Sequence, residues 1–264
     1  MKVEAMKDDN GSGLPAGVAA AWGLRERPSK GPKPGLSLDR IVTAAVGIAQ
    51  AEGLAAVSMS KVATEVGVTA MALYRYVGNK DELLALMVDA ALGPPPEVPR
   101  PGQGWRAGLS EWAHAENAAY RRHPWALRVP IQGLSALPNQ FAWMDRGLRC
   151  LRADDVVPAA DGGLDAEDQL STILLISNLV RSYAVIDRDM SAAFQASGTS
   201  PDEVMAGVAA TFSRLVDPER FPALSSVLAT GVLGKADPIE KEFSFGLERA
   251  LDGIAVLLSG SAAP

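Results

Sequence analysis

Of 264 residues only one is cysteine, Cys150, and only two are histidine, His114 and His123. One thiol excludes an intrachain disulfide framework and every zinc site built on several thiolates. Two imidazoles nine positions apart do not supply a His-rich catalytic metal site, and they read as surface or packing residues. No unbroken run of 18 or more apolar residues is present, so no membrane span is expected. The mild apolar stretch from Leu14 to Leu24 is broken by Pro15, Gly17 and Gly23. Its upstream flank mixes Lys2 and Lys7 with Glu4, Asp8 and Asp9, a poor secretory leader. Positive excess is also missing: 25 Lys+Arg against 31 Asp+Glu give a net −6, which argues against a polybasic coat for nucleic acid. No internal repeat and no strand-like alternation stands out. These absences leave a cytoplasmic globular protein with no metal, no cofactor and no membrane partner expected.

What is present divides into three segments. Residues 1–36 are poor in large apolar groups and rich in Gly, Pro and charge, and are expected to form a flexible basic arm. Residues 37–93 read as short, sharply punctuated helices. The run Gly93-Pro94-Pro95-Pro96, with Pro99 and Pro101, breaks the pattern before residues 102–264 return to long helical repeats. The expected fold class is all-α.

The second segment can be read cap by cap. Ser37 precedes Ile41, Ala45, Ile48 and Ala49 at helical spacing, and Gly53 ends that helix. Ser58 opens a short helix turning Val62, Ala63 and Val66 inward, ended at Gly67. Thr69 then opens a third helix, about Ala70 to Tyr76. Asn79, three before Glu82, has capping-box spacing for a fourth helix carrying Leu83, Leu84, Met87 and Val88. Two short helices about a glycine turn make a helix-turn-helix unit.

The run Val57-Ser58-Met59-Ser60-Lys61-Val62-Ala63, then Gly67-Val68-Thr69, then Leu73-Tyr74-Arg75-Tyr76-Val77-Gly78-Asn79-Lys80-Asp81-Glu82-Leu83-Leu84, resembles the TetR family of transcriptional regulators. Near the end, Phe243-Ser244-Phe245-Gly246-Leu247-Glu248 is similar to the last helix of the tetracycline-repressor branch. The resemblance implies an N-terminal helix-turn-helix DNA-binding domain over 37–93. It also implies a larger helical domain over 102–264 for effector binding and dimerisation, with double-stranded operator DNA and a second copy of the chain as partners. Lys80 matches the family's phosphate-contacting lysine, and the family draws base contacts from the third helix.

On the DNA side, Tyr74 and Tyr76 join an aromatic body to a hydroxyl that can bond phosphate, and Arg75 is the base-capable guanidinium between them. Ala70, Met71 and Ala72 are small or apolar, suited to thymine methyls and to shape. Ser58, Ser60 and Thr69 offer hydroxyls to phosphate, although Ser58 and Thr69 read equally well as plain helix caps. Tyr74 has core packing as its alternative, and Lys80 a solvated surface position. In the arm, Arg25, Arg27, Lys30 and Lys33 face Glu26 alone; they suit a groove-tracking arm or an idle tail. Trp22 is an odd residue for a linker and asks for a cover.

The C-terminal patterns run Trp105 to His123, Pro138 to Arg152, Asp165 to Ser197, Ser200 to Val216 and Asp237 to Ser259. In the last, Asp237 and Pro238 open the helix, and Phe243, Leu247, Ala250, Ile254 and Leu258 form one stripe with Leu251 and Leu257 beside it. Leu170 to Ile186 is apolar nearly all round, so it must bury two faces, one of them against another subunit. Trp105, Trp112, Trp125, Phe141 and Trp143 concentrate aromatic surface. With Asn117, Gln140, Met144, Ser177 and Asn178 they suit a small amphipathic or aromatic effector. The bland alternative is ordinary core. At stretches corresponding to the tetracycline repressor's magnesium-binding pocket stand Pro96 and Arg128, so a tetracycline–magnesium effector is not expected.

The leading expectation is a ligand-responsive dimeric repressor of a palindromic operator. A DNA-binding regulator with a protein-docking second domain is the first alternative. An enzyme is the second, but no nucleophile–base pair or phosphate loop is legible. Gly11-Ser12-Gly13 precedes no expected helix. Charge supports the division: residues 25–80 hold eight basic against four acidic side chains, net +4, which leaves −10 for the rest of the −6 total.

Overall fold

A computed structural model describes residues 13–24, 36–131, 133, 136–152, 156, 164–234, 236 and 239–258. Among them all regular structure is helical. The arm positions Arg25, Arg27, Lys30 and Lys33, and the cap Asp237-Pro238, lie outside the described residues.

The first element was not expected. Ala16–Ala21 (α1) forms a short helix within the segment read as an arm. Gly17 lies against the fourth helix of the reading head, where its N–H donates to Glu82 Oε1 at 2.6 Å. A Cβ there would meet Glu82 Oε1 and Leu86 Cδ1, both at 2.8 Å, so a larger residue would need both side-chain ends to shift. Trp22 finds its cover: its indole N–H donates to the Ala136 carbonyl at 2.7 Å and its ring meets Phe141 edge-on at 5.6 Å.

The next four helices follow their caps. Leu38–Glu52 (α2) opens on Ser37, whose hydroxyl accepts from Arg40 N. Met59–Val66 (α3) opens on Ser58, which accepts from Lys61 N, and ends at Gly67 with φ 74° in the left-handed region that a Cβ would penalise. Ala70–Leu73 (α4) opens on Thr69 and is shorter than the expected helix to Tyr76. Beyond Leu73 the chain runs as a turn, in which Tyr76 N–H and Val77 N–H both return to the Leu73 carbonyl, at 2.8 and 3.1 Å. Lys80–Leu92 (α5) opens on Asn79, which accepts from Glu82 N. The return arm of the expected capping box is displaced by one residue, because the Glu82 carboxylate accepts from Gly78 N. Ile41, Ala45, Val57, Val62, Leu73, Leu83 and Met87 close the small core.

Above this sit Trp105–Arg122 (α6), a 3-10 turn at Pro124–Arg128, Pro138–Cys150 (α7) and Ala166–Ser197 (α8). Pro201–Leu215 (α9) and Pro222–Ala229 (α10) follow, then Ile239–Leu258 (α11). Helix α6 packs on α8, α7 and α5, and α11 on α8. The buried stripe of α11 is Phe243, Leu247, Leu251, Ile254 and Leu258. Leu251 therefore takes the place expected for Ala250, and Leu257 is exposed. Helices α9 and α10 pack on each other and bury no residue.

By length and composition alone α8 would cross a membrane, even without an unbroken apolar run. Its Gln169, Ser177 and Arg181 hydrogen-bond to Leu164, Glu116 and Leu127, and the helix packs on α6 and α11.

Candidate functional site

Two sites share helix α5. The first is the surface built by α3, the Gly67 turn and α4. Ser58, Ser60, Thr69, Met71, Tyr74, Arg75 and Lys80 are all exposed there, Met71 by 76%, and Ala70 is half-buried. Ser58 and Thr69 spend their hydroxyls on capping, accepting from Lys61 N and Ala72 N. Tyr76 is half-buried, and its hydroxyl donates to the Leu36 carbonyl at 3.2 Å, tying the entry of α2 to the end of the reading head. Arg40 reaches across to donate to the Val66 carbonyl at 3.1 Å, which braces α3. These contacts brace the two short helices about the Gly67 turn, with Met71, Tyr74, Arg75 and Lys80 exposed.

The second site is a cavity of about 440 Å³ between α5, α6, α7 and α8. Helix α5 supplies Asp81, Leu84, Ala85, Val88 and Leu92; α6 supplies Trp112, Glu116 and Tyr120. Gln140, Trp143 and Met144 come from α7, and Ile173, Leu174, Ser177, Asn178 and Arg181 from α8. Val129, Pro130 and Ile131 close one side. Of the residues expected in a pocket, Trp112, Gln140, Met144, Ser177 and Asn178 are brought together here.

Three are not. Asn117 is buried elsewhere, rotated about 100° from its neighbour Glu116 on the same helix. Trp125 donates its indole N–H to Gln50 Oε1 at 3.2 Å, joining the 3-10 turn to α2. Phe141 points outward, 45% exposed, and serves as the seat for Trp22. His114 packs against the Phe243 ring and His123 against Trp125, away from the cavity. Among the described residues no cluster of three or more His, Cys, Asp or Glu could hold a metal.

The cavity's charged groups were missed. Glu116 is buried, and both its oxygens face the Ser177 hydroxyl, at 2.8 and 3.0 Å. Burial pushes its carboxyl up to about 7, against the smaller lowering effects of Ser177 and Arg181. Arg181 donates to the Leu127 and Val129 carbonyls at 3.0 and 3.2 Å and lies over the Tyr120 ring. Burial likewise pushes the Tyr120 phenol up to about 12. The available signal was periodicity: Trp112, Glu116 and Tyr120 fall at i, i+4 and i+8, so one carboxylate stands in an otherwise aromatic stripe.

Asp89 fastens the two helices that wall the cavity. Helix α7 has no side-chain cap of its own. Asp89 on α5 supplies one, accepting from Gln140 N at 2.9 Å, Asn139 Nδ2 at 3.1 Å and Asn139 N at 3.4 Å. The Trp143 indole N–H donates to the Gly93 carbonyl at 2.8 Å beside it.

A helix-turn-helix face and an internal cavity joined by one helix are what a ligand-read DNA regulator needs, and sequence comparison decides the family. Residues 98–258 match the family description "Tetracyclin repressor-like, C-terminal domain", and residues 41–87 match "Bacterial regulatory proteins, tetR family". The chain belongs to the TetR family. This TetR-family protein is a transcriptional regulator and not an enzyme. It is 38% identical over 251 residues to the HTH-type transcriptional repressor DrrR1 of Streptomyces coeruleorubidus, covering 92% of this chain and 87% of that one. Among solved structures it resembles apo ActR from Streptomyces coelicolor, at TM-score 0.66 and 30% identity over 86% of this chain and 99% of that chain. The ActR complex with actinorhodin gives TM-score 0.68 at 28% identity, over 88% and 100%.

Proposed function

We propose that this TetR-family repressor binds a palindromic operator as a dimer in the cytoplasm and is released by a small molecule with an aromatic or apolar body. The observation that carries the reading is the double duty of α5. Its first turn holds Lys80 beside the reading head, while Asp81, Leu84, Ala85, Val88 and Leu92 of the same helix line the cavity. Its far end is clamped to α7 through Asp89. Nine residues of helix separate clamp and lysine, a lever of about 14 Å. A tilt of roughly 10° about Asp89 would therefore displace Lys80 by about 2 Å, enough to break a phosphate contact. The effector has only to prefer the tilted state.

Arg75, Tyr74 and Met71 are assigned to the DNA surface, with Ser58, Ser60, Thr69 and Ala70 supporting it; Tyr76 acts there through Leu36. The arm lysines Lys30 and Lys33 are assigned to phosphate. Exposed Leu175 and Ile186 on α8, with Phe245 and Leu257 on α11, supply apolar surface for a two-fold interface. The solved complex of ActR with actinorhodin supports a small-molecule effector for this architecture. A cavity of about 440 Å³, rather than a filled core, favours this reading over a protein-docking domain.

The test is selection of operator fragments by the full chain, followed by release on addition of polycyclic aromatic compounds. Inverted repeats with half-sites about one helical turn apart are expected. A single asymmetric site bound by one copy, or no released complex across the compound set while Ala85→Phe and the parent chain behave alike, would overturn it.

A further inference from the structure

The cavity offers an unusual inventory of polar groups. Its two tryptophans have no donor to spare: Trp112 N–H is given to the Trp143 carbonyl at 2.9 Å and Trp143 N–H to Gly93. The Arg181 guanidinium is turned to the Leu127 and Val129 carbonyls. What remains for a ligand is ring surface, the Gln140 and Asn178 side-chain amides and a set of acceptors. Chief among the acceptors is Glu116, flanked one turn to either side by Trp112 and Tyr120, with the Trp143 ring 5.8 Å from that of Trp112. A carboxylate has room for about four hydrogen bonds, and Ser177 supplies one hydroxyl proton.

We infer that the effector carries a protonated amine on its aromatic body, and that Glu116 receives it between the Trp112 and Tyr120 rings. This rests on the reading of the cavity as the effector site. No basic side chain among the described residues forms an ion pair with Glu116, since Arg181 acts on it only through space while donating to the Leu127 and Val129 carbonyls, so a ligand that brings a cation is favoured, and electron-rich rings within about 6 Å of an ammonium add to the attraction. An anionic effector would meet Glu116 and Asp81 across the same space, where the Arg181 guanidinium already donates to two carbonyls. A neutral one would leave Glu116 with no better partner than Ser177 gives it.

The charged groups lining the cavity with Glu116 are Arg181 from α8 and Asp81 from α5, with the Tyr120 phenol on its own helix. Among the described residues, α7 adds only neutral Gln140, Trp143 and Met144. Burial leaves Glu116 partly protonated at neutral pH. A cationic ligand selects its ionised form, so amine affinity rises as pH rises through about 7.

The experiment uses one ring system with three charges: 9-(aminomethyl)anthracene, its N-acetyl derivative and anthracene-9-carboxylate. Binding to the full chain is read by tryptophan quenching and calorimetry, without DNA. The amine is expected to bind at least tenfold tighter than the other two, and more tightly at pH 8 than at pH 6. Glu116→Gln should reduce the preference to within twofold. Equal binding by all three, or a preference that survives Glu116→Gln, removes the amine and leaves the effector cavity standing. Failure of all three to bind removes the effector cavity itself. The parent chain alone decides the charge preference, so the result does not depend on a variant folding.

Discussion

Glu116→Gln tests the environment of the cavity without any ligand. The glutamine keeps the size of the side chain and an oxygen that can accept from Ser177, while its amide nitrogen turns to the cavity. In the parent chain burial raises the Glu116 carboxyl from its ordinary 4.5 to about 7. At about 1.4 kcal/mol for each tenfold in proton affinity, that gap is worth ~3 kcal/mol. The native state therefore holds the proton more tightly than the unfolded state does. Stability from this group is fully present below pH 4.5 and is lost progressively as pH rises to about 7. Above that, the folded chain carries a buried charge that the unfolded chain solvates. Urea denaturation of both proteins from pH 5 to 8, followed by far-UV circular dichroism, should show little difference at pH 5. The variant should then become more stable by about 2–3 kcal/mol at pH 8, water in the cavity trimming the full figure. Other titrating groups are common to both chains and cancel in the difference. A difference that stays constant across this range, or that favours the parent at high pH, would show that Glu116 is solvated or ion-paired in the fold.

Two further perturbations address the reading head and the lever. Tyr74→Ala and Lys80→Ala should each weaken operator binding at least tenfold with the dimer intact by size-exclusion chromatography. Lys80→Ala should also reduce the slope of log affinity against log salt by about 2, one phosphate per half-site; unchanged binding would remove these residues from the interface. Asp89→Asn places an N–H donor where three N–H groups of Asn139 and Gln140 seek an acceptor. It should cost about 1–3 kcal/mol in thermal or urea unfolding, and a neutral result would mean that α7 is capped without it.

What the sequence made legible follows the range of the interaction. Ser37, Ser58, Thr69 and Asn79 cap through bonds to a residue three positions on, so each cap is written next to the helix it starts. Glycine at Gly67 is equally local, since its φ of 74° belongs to the residue itself. Caps supplied from a distance were invisible: α7 receives its carboxylate from Asp89, about fifty positions earlier. The Gly17 N–H finds Glu82 sixty-five positions on. Helix α1 was overlooked for the same reason, because a six-residue helix has little cooperative stability of its own and depends on Gly17 meeting α5 and Trp22 meeting Phe141.

The cavity shows where residue type misleads and periodicity does not. Choosing aromatics and neutral amides selected Phe141 and Trp125, which are spent on α1 and α2, and Asn117, which lies on another side of α6. The same preference passed over Glu116, because a charged residue in an apolar stripe looks like an exception to core packing. Desolvating a carboxylate is costly, and a core with no use for one is more stable with an apolar residue of similar size. A carboxylate held between Trp112 and Tyr120, hydrogen-bonded by Ser177 alone, with Arg181 acting only through space, and lining a cavity, therefore points to a partner from outside the chain. Helix α5 carries the consequence outward: the wall that such a partner would press is continuous with Lys80, and the clamp at Asp89 makes the pressed helix a lever rather than a floating rod.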